Sequence, residues 1–155
     1  MERHDECIRK AKQSITVAEH VLKVTYPLVK ESKLLLSTLE QIHNAHIALM
    51  QGVLTYEREM RTIPPFHTNF ESMWNVISLR LEKKYSPTGK ELQLLKTVEQ
   101  TIKFHKDSAV AFERKGDFIL ASDEYVIQKI TSEFVAEILR NTQHLVTKWT
   151  GLLTK

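Results

Sequence analysis

The stretch from Ser32 to Met60 constrains the fold more than any other part of the chain. Leu35, Leu39, Ile42, His46, Leu49, Val53, Tyr56 and Met60 follow one another at alternating steps of four and three residues, which lines them along one side of an α-helix. Leu36, Ile47, Met50 and Leu54 add apolar surface beside that stripe. A helix apolar over so much of its circumference has to be covered on more than one face, by other helices of the same chain or by a second copy. Gly52 sharpens the expectation. Glycine inside a helix costs about 1 kcal/mol relative to alanine, and its use here is to let another backbone come close. The pattern predicts self-association as a homodimer, with Leu35, Leu39, Ile42, His46, Leu49, Gly52, Val53 and Tyr56 at the interface.

Proline and glycine cut the remaining chain into few pieces. Ile8, Ala11, Ile15, Ala18, Leu22 and Tyr26 recur at helical spacing, and Pro27 is expected to end this first helix, since the residue before proline is pushed out of the helical region. Ile63-Pro64-Pro65-Phe66 is a break, and Thr68 with Glu71 has the spacing of a capping box. Phe70, Trp74, Ile77, Leu81 and Tyr85 mark a third helix. Thr88 with Glu91 offers a second capping box, and Leu92, Leu95, Val98, Ile102 and His105 mark a fourth helix. After Ala109 the period shortens. Phe118 to Ala121 and Tyr125 to Ile130, around a Ser122-Asp123-Glu124 turn, read as a β-hairpin, to which Val110-Ala111-Phe112 can add a strand through a Lys115-Gly116-Asp117 turn. Thr131 or Ser132 then caps a last helix carrying Phe134, Ile138, Leu145, Trp149 and Leu152. The expected fold is mainly α: one domain over residues 1–155, a bundle of about five helices with a small β-hairpin before the last.

Composition removes several function classes. A chain of 155 residues buries about 68–70% of its unfolded surface and needs no disulfide or metal to stand. The one cysteine, Cys7, excludes an internal disulfide and suits a reducing, cytoplasmic setting. The longest uncharged run, Gln41 to Tyr56, contains His43, Asn44, His46 and Gln51 and is too short and polar to span a bilayer, so no membrane partner is expected. The charge balance, 22 Lys and Arg against 19 Asp and Glu, is spread along the chain rather than gathered into the stripe that nucleic acid requires.

Few constellations carry chemistry. Glu40-Gln41-Ile42-His43 has the Glu-x-x-His spacing of dimetal bundles, but those need the motif twice and carboxylates from two further helices. No cofactor or metal is therefore expected. His46 reads as a core or interface histidine bonded to a neighbour. Cys7 lacks a paired cysteine and reads as a small apolar residue. Gly89-Lys90 lacks the second glycine and preceding strand of a phosphate loop.

Several stretches resemble an uncharacterised family of short archaeal helical proteins: Val24-Thr25-Tyr26-Pro27-Leu28-Val29-Lys30, Lys33-Leu34-Leu35-Leu36, Tyr56-Glu57-Arg58, Ile63-Pro64-Pro65-Phe66 and Phe118-Ile119-Leu120-Ala121-Ser122-Asp123. That resemblance implies one intact domain and brings no activity with it. Arg61 and His67, five residues between them, and Arg140-Asn141 followed by His144 are similar to the Arg/His motif of the HEPN class of helical domains, many of which are RNases. The second resemblance implies RNA as a partner, with His67 or His144 as acid or base. On the residues themselves the leading expectation is a non-enzymatic interaction module with an unknown protein partner. An RNA-binding protein or RNase using Arg61 and His67 is the alternative.

Overall fold

Two long antiparallel helices form the spine. In the computed structural model, which describes residues 3–107, 110–114, 117–122 and 127–153, α1 (His4–His20) passes through a π-helical turn (Val21–Thr25) into α2 (Tyr26–Val29). The helix therefore does not stop at Pro27. Proline removes an N–H and its ring presses on the carbonyl four residues back. The wider π turn just ahead relieves both, because its bonds reach five residues instead of four. Lys30, at φ 57°, ends the element, its N–H donating to the Tyr26 carbonyl at 2.7 Å. The chain then reverses into α3 (Lys33–Glu59), 27 residues long and so about 40 Å from end to end.

The eight residues assigned to a dimer interface require correction. Leu35, Leu39, Ile42, His46, Leu49, Gly52 and Val53 are buried within a single chain, and Tyr56 is half-buried against the same core. Helices α1, α4 (Phe70–Arg80), α6 (Gly89–Asp107) and α7 (Ser132–Leu152) all pack on α3. The chain's own helices cover more of α3 than its sequence pattern suggested, and the stripe is not a surface a second copy can reach. The close approach at Gly52 is real and internal: a Cβ there would lie 2.9 Å from Ile8 Cδ1 and 3.2 Å from Cys7 Cβ.

Local signals set the other boundaries. Asn69, one residue beyond the expected Thr68, caps α4, its Oδ1 accepting the Ser72 N–H at 2.8 Å. Leu81, at φ −110°, separates α4 from the short α5 (Glu82–Tyr85), yet Leu81 and Tyr85 both stay buried. Thr88 and Glu91 form the expected reciprocal box, at 3.0 and 2.9 Å. Thr131 caps α7 by accepting the Phe134 N–H at 3.1 Å. Before it, β1 (Val110–Arg114), β2 (Asp117–Ala121) and β3 (Ile127–Ile130) form an antiparallel sheet in that order. The turns expected at Lys115-Gly116 and at Asp123-Glu124, and the strand start at Tyr125-Val126, lie outside the described residues.

Phe118, Leu120 and Ile130 turn one face of the sheet into the helical core. On the other face Phe112 pairs across Ile119 to Lys129.

Pairwise contacts fix the helix directions. His4 at Glu59, and Ile8 at Gly52, make α1 antiparallel to α3. His46 bonds Thr142 while Tyr85 joins Glu57 to Trp149, so α7 runs parallel to α3. Lys148 meets Glu91 and His43 meets Glu99, so α6 runs opposite to both. One end of the bundle thus holds the α2/α3 reversal, the end of α6, the sheet and the start of α7.

Candidate functional site

The two Arg/His pairs are not brought together. Arg61 sits just past the end of α3, where its N–H donates to the Arg58 carbonyl and the Thr62 N–H reaches the Glu57 carbonyl, each at 3.0 Å. These bonds, with Arg61 left-handed at φ 59°, make a helix-terminating motif in which glycine is the usual occupant. The position of Arg61 is thus explained by backbone geometry. His67 is exposed in the irregular segment beyond the double proline. Two residues later Asn69 shares a cleft with Glu99, whose carboxylate bonds His43 well back along α3, so this segment carries His67 away from Arg61. Arg140 and His144 are exposed on α7, beside the level at which Thr142 meets His46. Some fourteen residues of α3 separate that level from its end, about 20 Å along the bundle. Among the described residues no hydrogen bond or ion pair joins Arg61, His67, Arg140 and His144.

The Glu-x-x-His pair also separates. His43 bonds Glu99 at 2.7 Å while Glu40 is exposed, and no group of three or more His, Cys, Asp and Glu side chains suited to a metal exists among the described residues. His46 is fully buried, with Nε2 at 2.8 Å from Thr142 Oγ1 and Nδ1 without a partner among the described residues. Burial, and then the neighbouring His43, lower its pKa to about 3, so it is neutral at ordinary pH. Cys7 is buried against Gly52.

The most developed polar cluster was not legible in the sequence. Glu57, buried at the end of α3, accepts from Thr62 Oγ1 at 2.6 Å, Lys84 Nζ at 2.6 Å and the Tyr85 hydroxyl at 2.9 Å. Burial alone pushes its carboxyl up, but the donors from Lys84, Thr62 and Tyr85 outweigh this and hold it below the ordinary carboxylate range. Burial, and then the bond to Glu57, push the Tyr85 hydroxyl up. Lys84 also lies 4.8 Å from the Tyr56 ring centre. With three donors on a 2% exposed side chain, Glu57 has no face left for a substrate. The cluster fastens α5 and residues 60–63 to the end of α3. Glu57 stands one residue from Tyr56 in the heptad, and nothing in that spacing distinguishes it from a solvated helix carboxylate.

A concavity of about 510 Å³ lies between α4 and α6 and is lined by Phe70, Trp74, Lys96, Glu99 and Lys103 among others. Lys96 covers the Trp74 ring at 4.0 Å, and the indole N–H donates to the Leu92 carbonyl at 3.0 Å. Two lysines face Glu71 and Glu99 there, so the cleft carries no excess charge to select a polyanion. Compared with family models, characterised proteins and solved structures, the chain matches none. No helix among the described residues is long and apolar enough to cross a membrane.

Proposed function

We propose that the protein is a non-enzymatic interaction module whose contact surface is the end of the bundle holding the α2/α3 reversal and the sheet. One observation carries this reading: the exposed large apolar side chains gather at that end. Leu28 is 81% and Ile127 67% exposed, and Val24, Val29 and Phe112 stand out of the core with them, whereas Met60 and Leu79 lie toward the opposite end and Val17 midway. Apolar surface gathered in this way marks contact sites more often than singly scattered residues do. The ionisable groups that are buried, by contrast, are engaged internally: Glu57 by three donors and His46 by Thr142. A cytoplasmic setting agrees with the single buried thiol of Cys7.

Photo-crosslinking in cells tests the reading. A diazirine side chain at position 28 or 127 is expected to give adducts, and one at position 79, equally exposed and apolar, is not. Adducts from position 79 alone, or none from 28 and 127, would remove the assignment.

A further inference from the structure

We propose that the cleft between α4 and α6 binds a small aromatic monocarboxylate, its carboxylate accepting from the Lys96 ammonium and its ring lying against Phe70 and Trp74. The inference stands apart from the contact surface above and rests on different residues.

Lys96 is the first argument. Three lysines are half-buried among the described residues: Lys84, Lys96 and Lys148. Lys84 donates to Glu57 at 2.6 Å, and Lys148 donates to Glu91 at 2.8 Å and to the Ser86 carbonyl at 3.0 Å. Lys96 reaches no oxygen acceptor among the described residues; its ammonium lies 4.0 Å from the centre of the Trp74 ring. The ring does not stand in for an acceptor, because a cation over an indole face leaves the donors that point away from it unused. Lys84 shows the difference: it too lies near an aromatic face, 4.8 Å from the Tyr56 ring centre, and it still engages a carboxylate.

The walls are the second argument. A volume of about 510 Å³ falls within the range of small-molecule sites, which combine aromatic walls with a few polar groups. Phe70 and Trp74, one turn apart on α4 and both half-buried, supply the apolar wall. The indole is already fixed, its N–H donating to the Leu92 carbonyl of α6 at 3.0 Å, so little ordering remains to be done on binding. Charge then sets the class of acid. Glu99 is held in the cleft by His43 at 2.7 Å and Lys103 at 3.9 Å, and Glu71 lines it without an ion pair among the described residues. These two carboxylates oppose a doubly charged phosphate monoester, whereas Lys96, lacking a carboxylate partner, suits one negative charge.

Titration calorimetry with hydrocinnamate provides the test, with indole emission as a second readout. The chain has two tryptophans, and Trp149 is fully buried, so a change in emission reports on Trp74. Hydrocinnamate is expected to bind, and hydrocinnamide, acetate and phenyl phosphate to bind about tenfold more weakly or worse. Lys96→Met and Lys96→Gln should each lose about tenfold or more in affinity, with unchanged thermal melts showing that they fold. Lys103→Met should lose less, and Glu71→Gln, which removes a like charge, should bind at least as well as the wild type. The emission change should disappear in Trp74→Phe. The inference is overturned if millimolar hydrocinnamate gives neither heat nor an emission change, or if the amide or acetate matches the acid. It is equally overturned if phenyl phosphate binds more tightly than the acid, if both Lys96 variants keep wild-type affinity, or if Lys103→Met loses as much as they do. A loss in Glu71→Gln would assign an ammonium-bearing ligand to the cleft and overturn the monocarboxylate.

Discussion

Gly52→Leu tests the packing of α1 on α3 at its tightest point. A Cβ at this position lies 2.9 Å from Ile8 Cδ1, 3.2 Å from Ile8 Cγ1 and 3.2 Å from Cys7 Cβ. The terminal methyl of Ile8 can turn aside. Cys7 Cβ is fixed to its backbone and yields only if α1 moves. Leucine brings three further carbons into this space, placing the cost at the upper end of the roughly 1–3 kcal/mol typical of overpacking. Replacing glycine in a helix returns a little under 1 kcal/mol, leaving a net loss of about 2 kcal/mol. At about 2.1 cal/mol/K of unfolding entropy per residue, this lowers the midpoint by about 6 °C. Differential scanning calorimetry reads the shift. Combining Gly52→Leu with Ile8→Ala vacates part of the contested space, so the double variant should lose less than the sum of the two single losses, by about 0.5–3 kcal/mol of coupling. An unchanged or raised midpoint for Gly52→Leu, or strict additivity of the pair, would refute the close crossing.

Arg61→Gly is expected to stabilise by about 1 kcal/mol, because glycine adopts the left-handed conformation without the steric cost of an L side chain; an unchanged or lower denaturation midpoint contradicts this. Purified protein is expected not to cleave RNA, and specific cleavage abolished by both Arg61→Ala and His67→Ala would show the non-enzymatic reading to be wrong. Glu57→Gln should lose about 2 kcal/mol at neutral pH, since it leaves Lys84 partly buried without its counter-charge. The folded-state pKa of Glu57 is lowered from its ordinary 4.5, so its contribution is present above that pH and lost below it; the variant's acid limb should be the flatter of the two in urea titrations. His46 has the same sign in another window, its folded pKa being about 3 against 6.5, so wild-type stability falls as pH drops from about 6.5 toward 3. His46→Leu should melt near the wild type at neutral pH, gain on it as pH falls, and be unmoved by EDTA; a wild-type midpoint lowered by EDTA would restore Glu40 and His43 as metal ligands.

Repeating patterns were legible in the sequence, and single contacts were not. The heptad of α3, the Thr88/Glu91 box, the Thr131 cap and the shift to strand period before α7 are local signals, and each stands in the structure. Whether the α3 stripe would meet its own chain or a copy depended on how four other helices pack, which periodicity along one helix does not encode. Gly52 announced a close approach without naming Cys7 and Ile8 as the neighbours. Glu57, Lys84 and Tyr85 meet across 27 and 28 residues, and no spacing rule connects them. Pro27 misled in a different way: the rule that proline stops helices holds for α-helical geometry, and here the backbone changes geometry instead.

That change bears directly on the contact end. Had the helix ended at Tyr26, Leu28 and Val29 would belong to a loop, free to fold back over the apolar flank of α3. The π turn of Val21–Thr25 lets Pro27 enter the first turn of a continuing helix, and α2 holds the two side chains outward on a rigid element. A π turn also stretches one helical turn over an additional residue, rotating everything beyond it by about 100° relative to an unbroken α-helix. Leu22, within that turn, stays in the core, whereas Val24, Leu28 and Val29 face outward. The same proline that would weaken an ordinary helix thus accompanies the rotation that exposes Leu28 and Val29, and the left-handed Lys30 closes the turn. Sequence, backbone irregularity and surface chemistry converge on these ten residues, while the opposite end of the bundle is fastened by Glu57 and its donors.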